Sequence, residues 1–394
     1  MGGGETEWLG QLMESAGLAT KESKRSSKRR SASKRSSSKR SSKRRSKERD
    51  EGSVLALPEF LSEMPEMPEM PDMSVVTKPV GQAFISVWIF IGLGFAFSFI
   101  YVLQLTLKKV DDLRSKSDRL PKREKVLLMG KALRRSMAIA IIDLNPFWNI
   151  TVSADVPLED LPEAAIYMAN HTSYIDPFVL SAAQRPVETK YVGKADLWNI
   201  PIAGQALHHS GDMPVHFVKD KKLKRWRTRT GTLDELMSQA RDYLEMDVGI
   251  SVFPEGSVSK TGELLPFKKG FFQLARECDV PIIPVGMWGN QDGWPNTTTS
   301  KDSSGGLLLG AADMHVHFGE PISPNGKSLE ELMEEVYIAV RDLRNGLPNF
   351  NLAPELANVE PEFKQTVQLS PEDLDEAPED GSDPLGNEER SSAE

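Results

Sequence analysis

The 394-residue chain is 39% hydrophobic and carries 48 Lys/Arg against 57 Asp/Glu, a net charge of −9, which at roughly 100–200 residues per domain allows two ordinary domains or one large domain with tails. Its one cysteine, Cys278, excludes an intrachain disulfide framework and a multi-cysteine zinc site. The acidity sits in the tails: residues 21–49 hold 15 Lys/Arg and two Glu, whereas 355–394 carry −11, so no basic partner follows from the mean.

Residues 1–81 are predicted to be disordered. Residues 16–50 offer almost no apolar side chain to bury, so their ordering entropy goes uncompensated. The basic run is either a solvated tail or a segment attracted to anionic lipid headgroups, at about 1 kcal/mol per cation near the surface. Nucleic acid is not the expected partner, because aromatic interleaving is absent. The start, Met1-Gly2-Gly3-Gly4-Glu5-Thr6, matches a myristoylation pattern too short to be specific. Pro every third residue from Glu63 to Asp72 reads as an extended spacer.

Gln82 to Leu107 is uncharged and strongly apolar. About 20 such residues cross a bilayer, so 82–107 is predicted to be a membrane helix. Lys108, Lys109, Arg114, Lys116 and Arg119 follow it, which would place the next domain on the cytoplasmic side. Residues 108–152 read as an amphipathic segment; within it, Ser136 to Val152 contains Asp143 and Pro146 and looks interfacial or re-entrant. A two-helix membrane motif dipping into one leaflet is the alternative to a single span.

Residues 153–350 have an α/β rhythm: strands at 164–170, 187–194, 213–218, 249–256, 280–289 and 313–322, and helices at 230–246 and 328–344, the last with Ser328 as its cap. The expected fold is a mostly parallel mixed sheet flanked by helices. Residues 351–394 are acidic, Pro-rich and predicted to be disordered.

The most informative string is Asn170-His171-Thr172-Ser173-Tyr174-Ile175-Asp176, directly after an apolar strand. Strand ends are where an open α/β sheet presents functional groups. Histidine titrates near neutrality and can act as a general base. A carboxylate five residues on can accept its second ring N–H if the loop curls back. Alone this spacing is weak. Three companions strengthen it: Phe253-Pro254-Glu255-Gly256-Ser257 at a strand end, Pro266-Phe267-Lys268-Lys269-Gly270 after it, and Val280-Pro281-Ile282-Ile283-Pro284-Val285, with Lys194 and Gly211-Asp212-Met213-Pro214-Val215 between.

Together these strings resemble the four blocks of the glycerolipid acyltransferase family that contains the 1-acylglycerol-3-phosphate acyltransferases, in order, across about 160–290. The resemblance implies acyl transfer from acyl-CoA, as co-substrate and without a cofactor or metal, to the sn-2 hydroxyl of lysophosphatidic acid. By carry-over His171 is the base and Asp176 its support. Asn170, Ser173, Lys194, Glu255, Gly256, Ser257, Lys268 and Lys269 are the substrate-binding candidates. Glu255 and Ser257 would hydrogen-bond the glycerol. The family's arginine after the second block is replaced by Phe217, and Glu-Gly-Thr-Arg-Ser by Glu255-Gly256-Ser257-Val258-Ser259. This leaves another lysophospholipid, or glycerol-3-phosphate, as alternative acceptor. A non-catalytic lipid-binding relative is the alternative in another class. The expected location is a membrane, the endoplasmic reticulum before the plastid envelope. His315 and His317 lack the companions a metal site needs.

Overall fold

The computed structural model describes residues 78–185, 187–220, 225–229, 231–294 and 308–360. The basic tail, the myristoylation pattern, the Met/Pro repeat and the acidic tail beyond 360 lie outside the described residues.

A seven-stranded sheet in the order β1-β9-β8-β2-β7-β3-β4 forms the centre. Its strands are β1 (Trp148–Ala154), β2 (Ile166–Ala169), β3 (Thr189–Lys194), β4 (Met213–Val215), β7 (Gly249–Val252), β8 (Ile282–Trp288) and β9 (Ala312–Phe318). All neighbours are parallel except β8 and β9. A two-stranded antiparallel ribbon, β5 (Phe217–Asp220) and β6 (Arg225–Thr228), follows β4. The sheet is therefore mixed and mostly parallel.

The central strands are buried at every position of β2, β7 and β8, as parallel strands covered on both faces must be. Their alternation divides two cores. Tyr167, Ala169, Ile283, Val285 and Met287 face one, and Ile166, Met168, Ile250, Val252 and Ile282 face the other. The first core is covered by α1 (Lys78–Asp112), α2 (Lys122–Met137), α3 (Asp176–Ala183) and α4 (Ala203–Ser210). The second is covered by α5 (Thr232–Glu245), α6 (Gly270–Cys278) and α8 (Leu329–Asn345). Two single-turn helices, α7 (Asn290–Gly293) and α9 (Pro354–Ala357), and 3-10 turns at Leu158–Asp160 and Ala195–Asn199 lie in the connections. Ser328 caps α8 in a reciprocal box with Glu331, each side chain taking the other's backbone N–H.

Four expectations need correction. The interfacial segment does not extend to 152: α2 runs into a π-turn stretch, Ala138–Asp143, and then Trp148–Ala154 enters the sheet as its edge strand. The apolar character of this stretch serves the core and the β1–β9 pairing. The predicted strand at 213–218 splits at His216 into β4 and the ribbon, because the chain leaves the sheet there. The ordered domain does not stop at 350. Arg344, fully buried, donates to the carbonyl of Ala357 at 3.0 Å and of Gly262 at 2.8 Å, tying residues 351–360 to α8. Finally, α3 and α6 lie where no helix is predicted; each has only eight or nine residues, about two turns, too short for a clear period.

Helix α1 is long and apolar enough to cross a membrane by length and composition. One face packs on the domain along its length, through Ile85, Ile89, Ala96, Ile100 and Leu107. Two polar groups mark its ends: Ser86 Oγ accepts from the Leu309 N–H at 2.8 Å, and Gln104 Nε2 donates to Met129 O at 3.1 Å. The opposite face exposes Phe84, Ile91, Phe95, Phe99 and Val102, with Phe95 76% exposed.

Candidate active site

Strands β2, β7, β3 and β8 run parallel, so the residues that follow each of them lie at the carboxyl end of the sheet. His171 and Asp176 follow β2, Glu255 follows β7, Lys194 ends β3, and Asn290 follows β8.

The loop after β2 curls back on itself. His171 Nδ1 lies 2.7 Å from Asp176 Oδ2, which also accepts the N–H groups of Thr172 at 2.7 Å and Ser173 at 2.9 Å. Asp176 is fully buried at the start of α3. A buried carboxylate held by this many donors is an acceptor, so Nδ1 carries the proton and Nε2 has the free lone pair. The His171 ring stacks on Phe253, with centroids 4.2 Å apart. Its side chain keeps 15% of its surface exposed, enough for a small group to reach it.

Glu255 sits behind the histidine. Its Oε1 accepts the His171 N–H at 2.7 Å and its Oε2 the Leu265 N–H at 3.0 Å. Burial pushes its carboxyl up to about 8, against the pull of those two amides. Both oxygens accept backbone amides and the side chain is buried, so Glu255 fixes the loop that carries His171. Two other candidates are likewise buried and bonded to backbone. Asn170, buried, continues β2 by exchanging hydrogen bonds with the Met287 backbone at 2.7 and 2.9 Å. Ser173 Oγ, buried, donates to Trp294 O at 2.8 Å.

The remaining candidates face outward. Gly256 is exposed at φ +73°, a conformation that favours glycine. Ser257 is half-buried and next to it. The Lys268 stem lies over Gly256, where an added Cβ would meet its Cγ at 3.6 Å, and the Lys268 N–H donates to Pro254 O at 2.7 Å. Lys269 is half-buried just before α6. Lys194 is exposed and lies 2.8 Å from Asp196. The loop–strand geometry thus brings Gly256, Ser257 and Lys268 together beside the histidine's supporting turn.

Two features escaped sequence reasoning. Asn290 Nδ2 donates to Asp176 Oδ1 at 2.7 Å across 114 positions of sequence. Its signal was faint: a carboxamide just past a buried strand. Asp212 of the second block is also inward-facing. It accepts from Arg134, from the Tyr191 N–H at 2.9 Å and from Ser210 Oγ at 2.8 Å, and so belongs to the framework.

The family model described as Acyltransferase matches residues 153–288. The 1-acyl-sn-glycerol-3-phosphate acyltransferase BAT2, chloroplastic, of Brassica napus is 28% identical over 186 residues, 46% of this chain and 48% of that one. The corresponding LPAT1, chloroplastic, of Arabidopsis thaliana is 31% identical over 153 residues, 38% of this chain and 39% of that one. The chain spans about half or less of the length of these relatives. The crystal structure of the 1-acyl-sn-glycerophosphate acyltransferase PlsC from Thermotoga maritima aligns at a TM-score of 0.48 and 18% identity, covering 70% of this chain and 100% of that one.

The matched region is similar to acyltransferase domains. Through it the chain is related to the 1-acyl-sn-glycerol-3-phosphate acyltransferases.

Proposed function

We propose that the protein transfers a fatty acyl group from a thioester donor, acyl-CoA, to the sn-2 hydroxyl of lysophosphatidic acid. The observation that carries this is the 2.7 Å contact of His171 Nδ1 with buried Asp176, which leaves Nε2 as a base at the carboxyl end of the sheet. His171 Nε2 takes the hydroxyl proton as the alcohol oxygen attacks the thioester carbonyl. The C–O bond forms, the C–S bond breaks, and the imidazolium returns the proton to the thiolate. Asp176 holds the ring and stabilises the imidazolium. The acceptor's headgroup rests on the relatives' names, and acyl-CoA as donor on the resemblance of the sequence blocks alone; Lys268 beside Gly256 offers a point charge without the bidentate geometry of arginine.

The test is an acceptor panel with acyl-CoA: lysophosphatidic acid, lysophosphatidylcholine, lysophosphatidylethanolamine and glycerol-3-phosphate. Lysophosphatidic acid should react fastest. His171→Ala should lower turnover by about 10²–10⁴-fold with the fold intact. Transfer to another acceptor alone would replace the substrate, and full activity of the variant would remove the mechanism.

We read α1 as a helix lying in one leaflet. Its inner face is occupied along its length by the domain, which favours this over a free span. The outer phenylalanines would then sit in lipid. Phe95→Ser with Phe99→Ser should weaken vesicle co-flotation without lowering the melting temperature; unchanged flotation would refute the reading. For the membrane concerned, the two relatives named chloroplastic support the plastid envelope over the endoplasmic reticulum.

A further inference from the structure

We propose that Asn290 is a positioning residue for the His171–Asp176 pair, acting through the Asp176 carboxylate; the inference rests on the acyl-transfer reading above. Asp176 divides its oxygens. Oδ2 accepts three donors, from His171 and the Thr172 and Ser173 amides, whereas Oδ1 accepts Asn290 Nδ2 at 2.7 Å. A carboxylate gripped at one oxygen alone can turn about its Cβ–Cγ bond. A donor on the other oxygen fixes the plane, and with it the line from Oδ2 to the histidine ring.

Asn290 itself is placed with little freedom. It is fully buried. It follows Gly289, whose φ of +92° turns the chain out of β8 and whose missing Cβ leaves room for the Asp313 carbonyl, 2.1 Å from where that atom would sit. Among the described residues its own Oδ1 has no hydrogen-bond partner, and its Nδ2 donates to Asp176 with a second, weaker contact to Met287 Sδ at 3.9 Å, so Asp176 is its strongest orienting partner. The same segment grips the catalytic loop at two further points, through Asn170 on the Met287 backbone and Ser173 on the Trp294 carbonyl. Four hydrogen bonds, from Asn170, Ser173 and Asn290, thus join residues 170–176 to residues 287–294. Only the one from Asn290 touches a group that contacts the proposed base.

The chemistry makes the contact testable. A neutral donor stabilises the anion without competing for its proton. An aspartate in that place would bring a second carboxyl against Asp176, with His171 beyond it and Glu255 on the His171 amide.

The experiment compares wild type, Asn290→Ala, Asn290→Asp, Asp176→Ala and the Asp176→Ala/Asn290→Ala double variant, in vesicles, by acyl transfer and by melting temperature. Asn290→Ala should lower kcat by roughly tenfold with KM nearly unchanged, the pattern of an interaction that matters in the transition state. In the Asp176→Ala background the same change should have no further effect on kcat. Asn290→Asp should be slower than Asn290→Ala near neutrality, and the ratio of the two rates should approach one towards acid, where the introduced carboxyl is protonated and can donate, while both fall as His171 is protonated. Wild-type kcat in Asn290→Ala, or the same loss in both backgrounds, overturns the proposal. The downfield proton resonance of the His171–Asp176 hydrogen bond provides a readout without substrate. It should shift in Asn290→Ala, and an unmoved resonance overturns the proposal. Wild-type protein inactive on every acceptor would instead overturn the acyl-transfer reading, leaving the resonance to judge Asn290.

Discussion

Two of the clusters of buried charge among the described residues are built differently. In one, Arg134 of α2 meets Asp212 and Glu188, and Lys190 Nζ lies 2.8 Å from Glu188 and 3.0 Å from Val126 O. The Arg134 guanidinium also sits 4.4 Å over the Tyr191 ring. Burial works against the charge on Arg134, yet Asp212 and Glu188 hold its pKa up; on Lys190 burial prevails and lowers it despite Glu188. In the other, Asp176 and Glu255 are held by amides, a carboxamide and one imidazole. The first cluster closes on itself, cation against anion. The second leaves His171 Nε2, on a partly exposed ring, outside its hydrogen bonds. A polar network with a free basic lone pair within reach of solvent at a strand end can do proton chemistry; a closed one anchors a helix, here α2 and through it α1.

The comparison can be broken most directly at Asp212. Asp212→Ala strands a buried guanidinium and should destabilise the fold by about 3–5 kcal/mol. Denaturant unfolding measures this, while kcat per folded molecule should stay near wild type. A large kcat loss with unchanged stability would move Asp212 from framework to site. A smaller effect sharpens the contrast from the other side. Glu255 is raised from 4.5 to about 8. The folded state therefore keeps a proton that the unfolded state has lost. Its stabilising contribution is full below about 4.5 and gone above about 8, so stability should fall across that window. Glu255→Gln should flatten this slope in melting curves, at lower overall stability because its NH₂ faces a backbone N–H. An unchanged slope would assign the pH dependence to another group.

Much of this was readable beforehand because it depends on local chemistry. The run at 164–170 announces a doubly covered strand, and the alternation at 313–318 a half-buried one. Ser328 and Glu331 write their helix start in three residues' spacing. His171 and Asp176 lie close enough in sequence for a loop to join them. Glu255, Asn170 and Ser173 were legible as members of the site region but not in their roles. Their residue types suit a polar ligand as well as a backbone amide, and only the neighbouring strands decide between these. Asn290 was invisible for the same reason, since its partner is 114 residues away.

The sequence by itself determined the strand periods, the apolar helix and the pairing of an imidazole with a nearby carboxylate. These follow from side-chain pattern and short-range reach. Only the tertiary structure decided which polar atoms are spent on the protein and which remain for a substrate. That choice is made where parallel strands end together, because burial obliges each donor and acceptor there to find a partner from whichever strand lies alongside.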